Sequence, residues 1–409
     1  MALDAAVRAE VLSHVEEAQS RGVRLVAVAI REIDVRAAYQ VEDERELELI
    51  GHVTLSDVPK ATAADALRSL AVLGVRVVVL TGDNEAIARH VAGTLGFEVT
   101  SAMDGDTLAH LDDAQLADSI DGVTLFARIT PSDKLRIVQA FRDAGHNVAF
   151  MGDGINDAPA IRASDVGISF QDAVDVAREA ASVLLLQKDL GVLADGIRRG
   201  RRTFVNTRTY IRATISSNFG NMLSVAGAAL LLPFIPLLPA QILLLNLLSD
   251  VPMLAISTDR VPASELERPK RWDVPEIANY MYFFGSISSI ADYVTFALLL
   301  YVSAGAVLFR SGWFLESALT ELVVIFLVRV RRTRRDSRPS SALVLASVVT
   351  ACAVFALPYT DLGRAFQLTP LPHSVTLTIV GIVAGYALLT MLGKSAYEHL
   401  RGQAEWETT

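Results

Sequence analysis

Cysteine is almost missing from this chain of 409 residues. The single one, Cys352, lies in an apolar run, which excludes an internal disulfide framework and any cysteine metal cluster. Excess positive charge is missing too. Forty-six acidic against 37 basic residues leave a formal charge of −9, which argues against a general nucleic-acid binder. The first residues, MALDAAVRAEVLSHVEEAQS, are acidic and amphipathic with no apolar core segment, so no signal peptide is expected. Repeats and low-complexity tracts are not evident.

Apolar residues are plentiful, at 52% of the chain, and they are unevenly spread. Residues 1–200 alternate charged and apolar stretches, whereas long apolar runs dominate from about residue 210. The length alone predicts two or more domains. Six runs reach the roughly 20 residues that a bilayer-crossing helix needs. They lie near 210–232, 238–257, 279–303, 313–330, 341–358 and 373–393.

The basic residues predict an orientation. RRGRRTFVNTRTYIR precedes the first run, ERPKRW lies between the second and third, and RVRRTRRDSR separates the fourth from the fifth. The alternate connections, read as PFIPLLP, SGW and YTDLGRAFQLTPLPHS, are nearly free of Lys and Arg. The positive-inside rule then places residues 1–209 and the C-terminus in the cytoplasm of a multi-pass plasma-membrane protein. The alternative is a very apolar soluble helical domain, which the charge asymmetry disfavours. The Arg-rich segment 329–338 reads as a cytoplasmic loop.

The first 200 residues alternate short β-branched runs with helical patterns. LVAVAI, LELIGHVTL, VRVVVL, GVTLF, NVAFM and DVGISF are the strand candidates. KATAADALRSLAVLG and PSDKLRIVQAFRDAG are among the helices between them. This rhythm predicts a mostly parallel, Rossmann-like α/β sheet with its chemistry at the carboxyl ends of strands.

Three motifs stand at such positions. Thr81-Gly82-Asp83 follows VRVVVL, where a hydroxyl and the N–H groups of a tight turn can hold a phosphoryl oxygen. Taken alone it is weak evidence, since a strand-end TGD is more often just a turn. Lys134 falls in the first turn of a helix opened by Pro131 or Ser132, where a cation would offset phosphoryl charge. Alone it is an ordinary surface lysine. Gly152-Asp153-Gly154-Ile155-Asn156-Asp157-Ala158-Pro159-Ala160 follows NVAFM and crowds two carboxylates and an amide at a glycine-rich strand end. Hard carboxylate oxygens suit Mg2+, which keeps waters and a phosphate as its other ligands.

In this order, TGD, a P-x-x-K helix and GDGINDAPA, the chain resembles the haloacid-dehalogenase superfamily and in particular its P-type ATPase branch. The resemblance implies ATP and Mg2+ as cofactors. It implies that Thr81, Gly82 and Asp83 line the phosphate site, that Lys134 contacts an aspartyl phosphate and that Asn156 helps to hold it. Asp153, Gly154 and Asp157 would form the magnesium loop, with Asp153 as ligand. SDVPKATAADAL resembles the family's D-P-P-K/R hinge, with Val58 in place of the first proline. The implied organisation is a remnant of the nucleotide-binding domain at 1–46, the C-terminal part of the phosphorylation domain at 47–205, and an all-α six-helix transmembrane domain at 206–400.

The resemblance also marks a gap. P-type pumps phosphorylate the aspartate of a D-K-T-G-T sequence, and no such string occurs here. Without that nucleophile this chain alone is expected neither to form a phosphoenzyme nor to pump. A gene fragment, a pseudogene product and one half of a split pump, completed by a separate chain, all fit that expectation. A membrane-anchored phosphatase of the same superfamily would need a D-x-D-x-T string, which is also absent.

Polar residues inside apolar runs are expensive in lipid and are candidates for ion contact. Asn218 and Asn221 lie in the first run, Asn246 and Asp250 in the second, Asp292 in the third and Glu316 at the expected start of the fourth. Asn246 and Asp250 are one helical turn apart, and Pro252 would free carbonyls beside them. These four oxygen-bearing residues suit a hard cation, with interhelical hydrogen bonding the alternative for the asparagines. Glu316 is read as lying near an interface, while for Asp292 an interface position and a buried one both stay open. NFGNMLSVAGAALLLPFIPLLPAQILLLNLLSD, ERPKRWDV and YFFGSISSIADYVTFALL resemble the magnesium-transporting subgroup, which implies Mg2+ as the transported divalent cation; calcium is the alternative.

Overall fold

The structure, a computed structural model, describes residues 5–33, 35, 38–56, 58–302, 305–329 and 338–407. Most of the Arg-rich segment, at 330–337, and Asp57 of the hinge lie outside the described residues. The chain forms two compact units, Met1–Ile197 and Arg198–Thr409.

In the first unit the β-branched runs become strands. β1 (Val23–Ile30) and β2 (Glu48–Ser56) pair antiparallel, so the expected boundary at 46/47 falls just before the second strand of one ladder. The others are short: β3 (Val79–Leu80), β4 (Ala102–Asp104), β5 (Leu125–Ala127), β6 (Ala149–Met151), β7 (Val166–Phe170) and β8 (Val183–Leu185). They form two parallel sheets of three strands, ordered β3-β5-β4 and β6-β7-β8. Leu80 and Val148 pack against the cores of both sheets, which makes the apolar interior continuous between them. This is the α/β arrangement of haloacid-dehalogenase type. The principal helices of this unit are α1 (Ala5–Ser20), α2 (Ala63–Val72), α3 (Glu85–Thr94) and α4 (Pro131–Asp143). Helix α4 contributes Ile137, Val138, Ala140 and Phe141 to the interior, where Phe126 is fully buried. Burial of each large apolar side chain of this kind is worth about 1.5–3 kcal/mol.

The second unit is helical. Helix α5 (Leu190–Leu231) begins in the first unit and supplies the first helix of the second. α6 (Pro239–Ala255), α7 (Val274–Tyr301), α8 (Ala306–Val328), α9 (Ser341–Ala356) and α10 (His373–Glu407) follow. Among the described residues five helical segments are long and apolar enough to cross a membrane: Pro239–Thr258, Val274–Tyr301, Ala306–Val328, Ser341–Tyr359 and His373–Tyr397. The run at 210–232 is helical but is not one of the five, because Ser216, Ser217, Asn218, Asn221 and Ser224 interrupt its apolar character.

Two readings of the membrane half are corrected. Residues 311–313, taken as the connection SGW, lie inside α8 and are buried. Helix α8 starts at Ala306, and Gly312 is small because a Cβ there would stand 2.7 Å from Leu299 of α7. A small residue at a close helix contact had looked like a turn. In consequence Glu316 is not at an interface: it sits well inside α8 with no exposed surface, and Asp292 is equally deep in α7.

Close contact between α5 and α7 is made by small residues. Ser216, Gly220 and Ser224 recur every fourth position on α5; the first two face Gly285 and Ser288 of α7, and Ser224 meets Asp292 of the same helix. Ser289 donates to the Gly220 carbonyl at 3.0 Å. Backbones approach this closely in membrane helices only where side chains are small. At one end of the bundle the charges are paired and buried. Arg208 and Arg212 of α5 both reach Glu276, and Arg329 meets Asp259 at 2.6 Å with both side chains almost fully covered.

Candidate functional site

Thr81 stands at the carboxyl end of β3. Its N–H donates to Phe126 of β5 at 2.9 Å, and its carbonyl accepts from Ile129 at 3.3 Å, which ties the first motif to the loop leading into α4. The Asp83 N–H donates to the Thr81 hydroxyl at 3.0 Å, and that hydroxyl donates to Asp83 Oδ2 at 3.3 Å. Asn84 caps α3 by accepting from Ala86 at 2.7 Å. The Asp83 carboxylate also meets Arg24 of β1, a partner that no motif announced. Gly82 has no such internal reason to be glycine. A Cβ there would meet nothing closer than a carbonyl oxygen at 3.8 Å.

Helix α4 begins where the sequence places it. Thr130 caps it in a reciprocal pair with Asp133, and Pro131 takes the first helical position, where its missing N–H costs nothing. Lys134 therefore projects from the first turn. Its Nζ donates to Asp157 Oδ1 at 2.7 Å, with both side chains largely covered.

The third motif follows β6. Gly152 donates to Ile168 of β7 at 3.2 Å and accepts from the Ser169 hydroxyl at 2.9 Å. A Cβ on Gly152 would stand 2.5 Å from the Asp157 Cβ, so glycine is required for the loop to fold over Asp157. Asp157 Oδ2 accepts from the Gly154 N–H at 3.2 Å. Both oxygens of Asp157 are thus engaged within the protein. Asp153 and Asn156 are exposed.

The structure brings Lys134 to Asp157 and Thr81 to the loop before α4. It does not bring Asp83 to Asp153. Asp153 Oδ2 instead accepts from Lys188 at 3.0 Å, and the same ammonium reaches Asp172 at 3.5 Å. That hydrogen bond with Asp153 holds the Lys188 amine above its ordinary value. Lys60, from the hinge-like segment, donates to the Lys188 carbonyl. Sequence reasoning missed Lys188, which belongs to no motif.

In the second unit, Asn246 and Asn221 are half-buried, whereas Asn218 and Asp250 are exposed. Asn221 donates to Glu321 of α8 at 2.8 Å and accepts from Ser317 at 3.0 Å. Glu321 had not been singled out, since it sits unmarked in the apolar run of α8. Among the described residues no three His, Cys, Asp or Glu side chains converge as a ready metal-ligand set.

Residues 4–165 match the family described as haloacid dehalogenase-like hydrolase, and residues 234–396 match that described as cation transporting ATPase, C-terminus. The chain is 43% identical over 389 residues to "Magnesium-transporting ATPase, P-type 1" of Escherichia coli K12, an alignment covering 93% of this chain and 43% of that protein. The chain belongs to the P-type cation-transporting ATPases. A protein of the same description from Salmonella typhimurium LT2 is 37% identical over 98% of this chain and 45% of its own length. A calcium-transporting ATPase of Bacillus subtilis is 34% identical over 64% of this chain and 30% of its own. This P-type ATPase chain is thus more similar to those magnesium-transporting relatives than to that calcium pump. It spans less than half the length of the relatives it matches and corresponds to their C-terminal portion. With its five apolar helices it is a multi-pass membrane protein.

Proposed function

We propose that this chain is the C-terminal part of an ATP-driven pump that moves Mg2+ across the plasma membrane, with residues 1–209 and the C-terminus on the cytoplasmic side. The observation that carries the cytosolic half of this reading is the Lys134–Asp157 contact, which joins two motifs 23 residues apart, one in the first turn of α4 and one in the loop after β6. The ion is taken from the magnesium-transporting relatives. The orientation rests on the basic residues in the first half of α5, ahead of its apolar stretch, and on those that separate α6 from α7.

The residues present fit a catalytic Mg2+. Asp153 offers an exposed carboxylate already facing a cation, and Asp157, with both oxygens engaged, shapes the loop that presents it. Bound there, the ion would offset charge on the phosphoryl oxygens of ATP or of a phosphorylated aspartate. Lys134 would contribute a second positive charge. The Thr81 hydroxyl and the open backbone N–H groups at Gly82 would donate to a phosphoryl oxygen, which supplies the reason for glycine that the fold does not. Asn156 would donate from the exposed side of the loop. Asn221, Asn246 and Asp250, with Asn218, are the proposed contacts of the transported ion.

These 409 residues carry no D-K-T-G-T. We assign the phosphorylated aspartate to a segment equivalent to the N-terminal half of the relatives. The test is co-expression with the N-terminal half of the Escherichia coli relative in a bacterium that cannot take up Mg2+. Growth at low Mg2+ with both pieces, with neither alone, and not with Asp153→Asn is the expected pattern. A hydroxylamine-sensitive phosphoenzyme on this chain by itself would overturn the assignment of the nucleophile. Growth supported by Asp153→Asn would overturn the Mg2+ role.

A further inference from the structure

Glu316 is the least satisfied charged side chain described in the membrane unit. It has no exposed surface, and neither of its carboxylate oxygens finds a hydrogen-bond donor. Across from it, on α7, lies Asp292, which is 1% exposed. Asp292 is held in place from both sides: Ser224 of α5 donates to Oδ2 at 2.6 Å and Trp313 of α8 donates to Oδ1 at 2.7 Å. These donors hold one carboxylate rigidly while its neighbour has no donor. Thr295, three residues beyond Asp292 and so on the same face of α7, is buried with its hydroxyl unpartnered. Glu321 Oε2, further along α8, is unpartnered as well.

Two adjacent carboxylates away from water repel one another and lose their hydration, a combination proteins keep only where a counter-charge enters. A single shared proton would serve one oxygen of Glu316 and leave the other, with the Thr295 hydroxyl, still without a partner. A cation serves several oxygens at once. We propose that Asp292 and Glu316 hold a hard divalent cation between α7 and α8, with hydroxyl oxygens such as that of Thr295 completing its shell. The site is a carboxylate pair with neutral oxygens, which agrees with the absence of three converging acidic side chains among the described residues. Its carboxylates lie on α7 and α8, whereas Asn246 and Asp250 lie on α6 at half-buried and exposed positions. It also stands whether or not the chain works as part of a pump.

Binding of Mn2+ to the whole chain in detergent tests this, with Asp153→Asn present throughout to remove the cytosolic carboxylate. The parent is expected to bind a Mn2+ that excess Mg2+ displaces. Glu316→Gln and Asp292→Asn are each expected to weaken that binding more than tenfold, while Asp361→Asn, at an exposed surface carboxylate, retains it. A measurement that leaves the pair intact uses Trp313, which donates to Asp292. With Trp272 and Trp406 replaced by Phe, paramagnetic Mn2+ should quench Trp313 fluorescence saturably, and Mg2+ should restore it. Undiminished Mn2+ binding in folded Glu316→Gln, or no saturable quenching of Trp313, would overturn the proposal, the second of these even if the Glu316 variant does not fold.

Discussion

Lys134 Nζ lies 2.7 Å from Asp157 Oδ1, while the other oxygen of the same carboxylate accepts from the Gly154 N–H. One side chain thus fixes both the lysine of the second motif and the loop of the third. Asp157→Ala removes both contacts and leaves a partly covered ammonium without its partner. The expected cost is about 1.5–3 kcal/mol, the range for hydrogen bonds to charged groups. Gly152→Ala should act on the same joint from the other side, since its Cβ would stand 2.5 Å from that of Asp157. Thermal unfolding in detergent should show both variants less stable than Gly154→Ala, whose Cβ would come no nearer than 3.4 Å to Asp157.

Lys188 rests on the carboxylate proposed to bind Mg2+, so the two cations compete. Lys188→Gln frees Asp153 and should raise Mg2+ affinity. Both side chains of the pair are exposed and screened by solvent, so the gain should be small, no more than about fivefold. The amine is held above its ordinary value by the bond to Asp153. A group raised in the folded state keeps its full contribution below the ordinary lysine value and loses it only as pH rises through the raised one. The gain should therefore be the same between about pH 6 and 9. Calorimetric titration with Mg2+ checks both points. A gain that vanished by pH 9 would mean that Lys188 is not the competing charge.

Asp259 gathers three donors at the end of the membrane bundle: Arg329 Nε at 2.6 Å, a second Arg329 nitrogen at 3.2 Å and the Ser340 N–H at 2.8 Å. Both charged side chains are almost fully covered. Removing one partner of such a pair leaves the other charge buried, which costs about 3–5 kcal/mol. Asp259→Ala should therefore lower the unfolding midpoint sharply, and Asp259→Asn less so, because the amide oxygen still accepts. Equal loss in the two variants would show that packing, not charge, is at stake.

How far the sequence was legible followed from how local the information was. Strand ends carrying TGD and GDGIND, and the Thr130-Pro131 helix start, are written in contiguous residues, and the fold class and family followed from them. Lys188 was not legible because it meets Asp153 from 35 residues away, through a contact that no spacing rule anticipates. The SGW segment was misread for the opposite reason. Ser311 and Gly312 look locally like a turn, and only the packing of Leu299 explains why Gly312 is small. That misreading moved the expected start of α8 and so placed Glu316 at an interface. Glu321 went unnoticed because a lone acid in an apolar run gives no sign of the asparagine that meets it.

Gly220 gives a last test, because its reason is steric and lies on another helix. A Cβ there would stand 2.9 Å from the Ser288 Cβ and 3.0 Å from the Gly285 carbonyl oxygen, a backbone atom that cannot rotate away. Gly285 is constrained in return, since its own Cβ would approach the Ser216 carbonyl to 3.0 Å. The helices cannot separate locally without breaking the bond from Ser289 to the Gly220 carbonyl. They would also shift Ser224 away from Asp292 and Asn221 away from Glu321. Gly220→Val should cost about 1–3 kcal/mol, as overpacking does. Gly93→Val, at a helix position where a Cβ meets nothing within 4 Å, should cost only the difference in helix propensity, a few tenths of a kcal/mol in either direction. Unfolding midpoints of the two variants in one detergent make the comparison. If Gly220→Val were as stable as Gly93→Val, the close approach of α5 to α7 would not be what holds these helices together.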